Sequence, residues 1–256
     1  MDLLEHKLNS ADVRHPWETA RLEVIQRLLQ KDSKLLQAKH IADIGCGDTF
    51  VVNSLANKFP QKLYTAIDSA FTDDDIKIFS SQSDNNILLK KNVDDIIDTK
   101  AIDIVLLMDV IEHIEFEVDF LKTLAQNKAI TKETTFLITV PAFNSLFSAH
   151  DTYLKHYRRY NNNELQKVAK QAGLDIKSSG YFFSTLLIIR VLEKIKEILI
   201  GKKEQKGLNE KQYNKKTAGI IKTFLLLDFG ITNLFNKIGI KIPGLSTYII
   251  CTKSAQ

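Results

Sequence analysis

The stretch His40-Ile41-Ala42-Asp43-Ile44-Gly45-Cys46-Gly47-Asp48-Thr49-Phe50 decides how this chain folds. Five residues of strand character end in a Gly-x-Gly turn, and an apolar segment of helical character follows. Outward from it the pattern repeats. KLYTAI (62–67), NILLK (86–90), DIVLLM (103–108) and TFLITV (135–140) read as buried strands, with candidates at 175–182 and 246–253 further on. Helical patterns lie between them. Pro16 opens one carrying Leu22, Ile25, Leu28 and Leu29; Ile114, Val118, Leu121 and Leu124 share a face over 114–128; Leu165, Val168, Ala169 and Ala172 mark a third that Gly173 can end. Strands alternating with helices imply an α/β fold with a parallel sheet and right-handed crossovers.

In such a sheet the ligand crevice lies at the carboxyl ends of the strands, where the Gly45–Gly47 loop stands. Glycine lets the backbone approach a ligand closely and adopt positive φ. A dinucleotide fingerprint would need a third glycine at position 50, which is Phe50. Asp43 would also repel a pyrophosphate. It suits a ligand with a cationic group. Asp68 ends the second strand, where a carboxylate can accept hydrogen bonds from both hydroxyls of a ribose.

This arrangement resembles the class I S-adenosylmethionine-dependent methyltransferases. Asn92-Val93 follows the third strand, where that family places residues flanking the adenine. Asp109-Val110-Ile111-Glu112-His113 matches its D-V-x-E-H signature, which lines the methionine half of the cofactor. Val140-Pro141-Ala142, His150-Asp151, His156-Tyr157-Arg158-Arg159-Tyr160, Glu164-Leu165 and Ala172-Gly173-Leu174 resemble a bacterial subgroup of small-molecule methyltransferases, as do Trp17 and Arg21 before the first strand. The likeness covers about residues 15–184 and the last strand. Two departures stand out: Thr49 where the family has a third glycine, and Asn92 for its usual acid.

The resemblance implies a Rossmann-like, seven-stranded, mostly parallel sheet with an antiparallel last strand. It also implies S-adenosyl-L-methionine as cofactor, held by Arg21, Asp43, Gly45, Cys46, Gly47, Asp68, Ser69, Asn92, Val93, Asp109, Val110 and Ile111. Methyl transfer is an in-line displacement, so positioning and desolvation are the protein's main contribution. Where the acceptor must lose a proton, histidine is the natural base near neutral pH. His150 ranks first, with Asp151 beside it, and His113 second. Trp17, Tyr153, Tyr157, Tyr160 and Phe183 are expected to wall the acceptor pocket. Each also has a plain reading: Asp68 as a cap, His113 as a structural hydrogen bonder, Trp17 as core, Arg158 and Arg159 as partners of carboxylates. No metal site is expected.

The organisation follows: a helical cap (1–31), a cofactor-binding core (32–184), an apolar helical pair (185–244) around a basic connector (201–216), and a final strand (245–256). The helices 182–200 and 217–238 are apolar over more than one stripe. They either pack on the sheet edge over the acceptor pocket or form a greasy lid resting on a membrane, with Phe182, Phe183, Leu186, Leu187, Phe224, Leu225 and Phe229 as the apolar contact. The connector holds six lysines and two glutamates, so it carries the whole formal net charge of +4 and the other 240 residues are neutral. That distribution argues against a nucleic-acid groove and for a lipophilic acceptor or an anionic surface. Two cysteines exclude a disulfide scaffold. The charged first residues and the lack of an uninterrupted apolar run of about 18 lead us to expect a soluble, cytoplasmic protein. Three other functions compete: a protein or nucleic-acid methyltransferase, against which the missing D/N-P-P-Y signature counts; a non-catalytic binding module; and a nicotinamide oxidoreductase, disfavoured by Phe50 and Asp43.

Overall fold

Short apolar runs separated by helices close into one sheet. The computed structural model describes residues 14–30, 33–82, 86–96, 100–200 and 213–254. The strands are β1 (His40–Ile44), β2 (Leu63–Ile67), β3 (Ile87–Lys90), β4 (Ile102–Met108), β5 (Ile130–Pro141), β6 (Leu174–Phe182) and β7 (Ser246–Lys253). Their order is β3-β2-β1-β4-β5-β7-β6, with β1 to β5 parallel and β7 antiparallel to both β5 and β6. The order reverses between β1 and β4, which puts the Gly45–Gly47 loop at the switch point where such sheets bind ligands.

Nine helices flank the sheet among the described residues: α1 (Pro16–Gln30), α2 (Lys34–Gln37), α3 (Phe50–Lys58), α4 (Asp73–Gln82), α5 (Glu117–Gln126), α6 (Ala149–Tyr153), α7 (Asn162–Gln171), α8 (Ser184–Ile200) and α9 (Lys215–Lys237). Strand alternation builds two cores. Ile41, Tyr64, Ile104, Leu106, Leu137 and Tyr248 face α1, α3 and α9; Ala42, Ile44, Val105, Leu107, Phe136 and Ile138 face α5 and α7. Each fully buried Leu, Ile or Phe contributes about 1.5–3 kcal/mol.

Two boundaries differ from the sequence reading. β5 begins five residues earlier than its apolar run, because polar Thr131, Lys132 and Glu133 lie within the strand, and Thr134 Oγ1 donates to the Ile102 carbonyl at 2.6 Å. The helix expected from Ile114 starts at Glu117, since Ile111–His113 form a 3-10 turn and Ile114 is extended.

The helical pair divides in two. α9 lies on α1 and β6, burying Ala218, Leu225, Phe229 and Thr232. Its Asp228 carboxylate accepts the Ser184 and Thr185 amides at 2.8 and 3.3 Å, satisfying free N–H groups at the start of α8. Phe183, at φ +65°, turns the chain from β6 into α8. Phe182, Phe183, Leu225 and Phe229 are therefore core, as the packing reading has them and not the lid reading, because they fill the space between α9 and the sheet. Phe224 is exposed as the lid reading expects, and with it Ile188, Leu192, Ile195, Ile198 and Leu199 on α8 and Ile220, Leu227, Ile231 and Leu234 on α9. α9 is also long and apolar enough to cross a membrane by length and composition, with an 18-residue stretch of mean hydropathy 1.4. Residues 1–13 of the expected cap and 201–212 of the connector lie outside the described residues, and Lys215 and Lys216 already belong to α9.

Candidate functional site

The Gly45–Thr49 turn is held from below. The Gly45 and Cys46 amides donate to the Ile67 carbonyl at 2.8 and 3.1 Å, tying the loop to the end of β2. Gly45 has φ +70°, and a Cβ there would stand 2.6 Å from Val110 Cγ2, so only glycine fits between β1 and the segment after β4. Thr49 also adopts a left-handed conformation, φ 62°, which is costly for a β-branched residue. Its hydroxyl donates to the Asp48 carbonyl at 2.6 Å and accepts from Asn53 Nδ2 at 2.8 Å. The departure from glycine thus keeps the backbone shape and anchors the start of α3.

Asp43, on the same face of β1 as Ile41, is wholly buried, and neither carboxylate oxygen has a hydrogen-bond partner among the described residues. Burial, with Asp68 and Asp48 adding repulsion, pushes its carboxyl up to about 7. A buried acid with no partner is costly to ionise and fits a site that a cationic ligand completes.

Asp68 accepts the Gly47 amide at 2.9 Å and the Ala70 amide at 2.9 Å. It therefore shapes the loop, while each oxygen keeps a lone pair for a hydroxyl. Ser69 and Asn92 are exposed at the ends of β2 and β3, and Val93 is half-buried at the start of a 3-10 turn. Asp109, at φ 56°, pairs with Arg21, whose guanidinium lies 4.4 Å over the ring of half-buried Trp17. This pair joins α1 to the end of β4. The Ile111 side chain is buried in the second core, which leaves its backbone for the expected place at the crevice; half-buried Val110 packs against Gly45 there. Burial raises the Cys46 thiol well above its ordinary range, and Cys46 and Cys251 are both free and buried.

Arg14 was not anticipated. It pairs with buried Asp48 at 2.6 Å and lies 3.9 Å over the Phe50 ring, clasping the loop from the start of α1. No periodicity or motif marked it.

The second half of the site differs from expectation. Asp151 is not the partner of His150. Its Oδ1 accepts from His156 Nδ1 at 2.9 Å and from Arg159 Nε at 2.7 Å, and its Oδ2 accepts the Ser148 amide at 2.8 Å. Burial alone would raise the Asp151 carboxyl, but these bonds outweigh it and hold it well below the usual carboxylate range. The oriented histidine is thus His156. His150 is half-buried on α6, and burial lowers its pKa. The His113 ring packs edge-on against His156, with centroids 4.5 Å apart.

Arg158 pairs with Glu117 and donates to the Glu115 carbonyl at 2.8 Å. Tyr153 and Tyr157 are exposed, as acceptor-pocket residues can be. Tyr160 and Phe183 are buried in the cores, which removes both from the expected pocket wall; the Tyr160 hydroxyl points to the Ile111 carbonyl at 3.5 Å.

No family model and no curated protein matches the chain. Solved structures do. A putative sarcosine dimethylglycine methyltransferase from Galdieria sulphuraria aligns over 93% of this chain and 86% of its own, with TM-score 0.55 and 14% identity. The O-methyltransferase of a trans-AT PKS multienzyme from Brevibacillus brevis, in complex with S-adenosyl-L-homocysteine, aligns over 93% and 76%, with TM-score 0.53 and 12% identity. A SAM-dependent methyltransferase from Archaeoglobus fulgidus aligns over 91% and 94%, with TM-score 0.50 and 17% identity. The chain has the class I methyltransferase fold. Within that fold, the carboxyl ends of β1, β2 and β4 carry Asp43, Asp68 and Asp109 on one rim.

Proposed function

We propose that this chain is an S-adenosyl-L-methionine-dependent methyltransferase that methylates an oxygen of a small lipophilic or aromatic acceptor. The observation that carries the reading is Asp43: a buried carboxylate with no hydrogen-bond partner among the described residues, beneath a positive-φ glycine loop at the switch point. The residues present fit the cofactor. Asp43 complements its cationic methionyl end, the Gly45–Gly47 backbone admits it closely, Asp68 accepts from its ribose, and Asn92 and Val93 flank its adenine. The bound cofactor supplies a methyl group activated by a sulfonium. Arg21 and Asp109 fix the cap over the crevice and keep water from the methionyl side. His150 takes the acceptor's proton, and its lowered pKa leaves it neutral and able to do so near pH 7.

A second feature favours an acceptor met at a membrane. The outer faces of α8 and α9 are apolar and exposed, with Leu199 79% exposed and Ile198 72%, and the lysine-rich connector joins them. In this reading the enzyme works in the cytoplasm and sits peripherally on an anionic surface. Calorimetry with the cofactor, followed by methyl transfer to a lipid-soluble extract, tests the function. Binding without turnover on any fraction would favour a non-catalytic module, and transfer to protein or nucleic acid would redirect the acceptor. Asp68→Ala is expected to weaken cofactor binding about 10- to 100-fold. His150→Ala is expected to lower turnover with affinity intact; equal loss of both would refute the base.

A further inference from the structure

The turn after β4 and the segment after α6 are fastened together. The Tyr157 amide donates to the Glu112 carbonyl at 2.8 Å, and Arg158 holds Glu115 and Glu117. The result brings three potential metal ligands together: one atom each from Glu112, His113 and His156, all within 4.8 Å of one another. Two further observations point to a ligand there. Glu112 is fully buried, and neither of its carboxylate oxygens has a hydrogen-bond partner among the described residues. The nearby guanidinium groups are already engaged, Arg21 with Asp109 and Arg159 with Asp151, and Asp109 adds negative charge. His156 is also prepared: Asp151 accepts from Nδ1, which leaves Nε2 as the ring's ligand atom. A carboxylate that orients a histidine through its other nitrogen is the usual support of a metal-bound imidazole.

We propose that Glu112, His113 and His156 form a binding site for a divalent first-row transition-metal cation, Zn2+ in the first instance. Two imidazoles and one carboxylate suit that class of ion better than Mg2+ or Ca2+, which prefer all-oxygen shells. Bonds of about 2.0–2.2 Å place tetrahedral ligand atoms about 3.4 Å apart, so side-chain shifts of about an ångström close the cluster. Three protein ligands leave a coordination position open. Water fills it, or an oxygen of the acceptor, the latter role resting on the methyl-transfer reading. The metal site itself does not, since none of its ligands is assigned to the cofactor or to proton transfer in that proposal. His113, offered by the sequence as a second base, becomes a ligand. The sequence suggested no metal here because the ligands come from two segments more than forty residues apart.

The test uses the full, tag-free chain, stripped with chelator and titrated with Zn2+ and with Co2+ as a coloured probe. One ion per chain is expected, with visible Co2+ absorption and a raised melting temperature. Glu112→Gln and His113→Ala should each weaken Zn2+ binding at least tenfold. His113→Ala removes only a half-buried ring, so it keeps the test open should Glu112→Gln fail to fold. Absence of stoichiometric uptake, or uptake unchanged in a folded variant, overturns the site. Asp68→Ala should lose cofactor affinity and keep the metal; loss of the metal there would put the ion in the cofactor crevice and overturn the assignment.

Discussion

At residue scale, Asp43 links pH to ligand binding. Its folded pKa is raised to about 7 from an ordinary value of 3.8, so the folded protein keeps this proton where the unfolded chain has lost it. The contribution of this group to stability is therefore fullest below pH 4 and falls as pH rises to about 7. A cationic ligand needs the ionised form and must expel the proton. Cofactor affinity is accordingly expected to fall by up to about tenfold per pH unit below pH 7, and Asp43→Asn to flatten that slope. Calorimetry between pH 5.5 and 7.5 checks both. Gly45→Ala belongs to the same scale. Its Cβ meets Val110 and its φ is +70°, so a loss of about 1–3 kcal/mol is expected in chemical denaturation; an unchanged midpoint would contradict the close packing of β1 on the segment after β4.

At the scale of elements, α8 and α9 are covered to different extents for similar compositions. α9 is pinned by Leu225 and Phe229 beneath it, whereas α8 is capped by Asp228 and otherwise offers apolar side chains to its outer face. The vesicle contact proposed above would use these exposed apolar side chains. Sedimentation with anionic vesicles is expected to capture the protein, and Leu192→Glu with Leu199→Glu to reduce the bound fraction several-fold without changing cofactor affinity. Equal capture of the double variant would remove α8 from the contact. The apolar pattern of both helices is legible in the sequence. Which stripe is covered is not, because Phe229 and Leu227 have the same chemistry and differ only in what lies against them.

For the whole molecule, Arg21 is the bolt between the helical cap and the sheet. It pairs with Asp109 from α1 to β4 across 88 residues and stacks on Trp17, with its side chain nearly buried. Removing one partner of such a pair leaves an uncompensated charge and costs about 3–5 kcal/mol. Arg21→Ala is expected to lower the melting temperature clearly and to weaken the cofactor as well, because the crevice loses its cover. A loss of affinity with an unchanged melting temperature would mean that Arg21 serves only the ligand.

The sequence alone determined the succession of the seven strands, their alternation with helices, the Asp43–Gly47 loop and the acids at the strand ends. Those features are local: a five-residue apolar run, a glycine pair and a terminal carboxylate are read within a few residues. The seven-stranded, mostly parallel sheet with its antiparallel last strand came from resemblance to a family, and the structure has both; the order of the strands across the sheet is read from the structure. Only the tertiary structure decided which histidine Asp151 orients, that Tyr160 and Phe183 are core, and that Arg14 clasps the loop. Adjacent in sequence, His150 and Asp151 sit on a helix, where neighbouring side chains point apart, while His156 returns to Asp151 after the helix ends. The same return sets His156 beside Glu112 and His113, a juxtaposition that exists only once the chain has closed on itself.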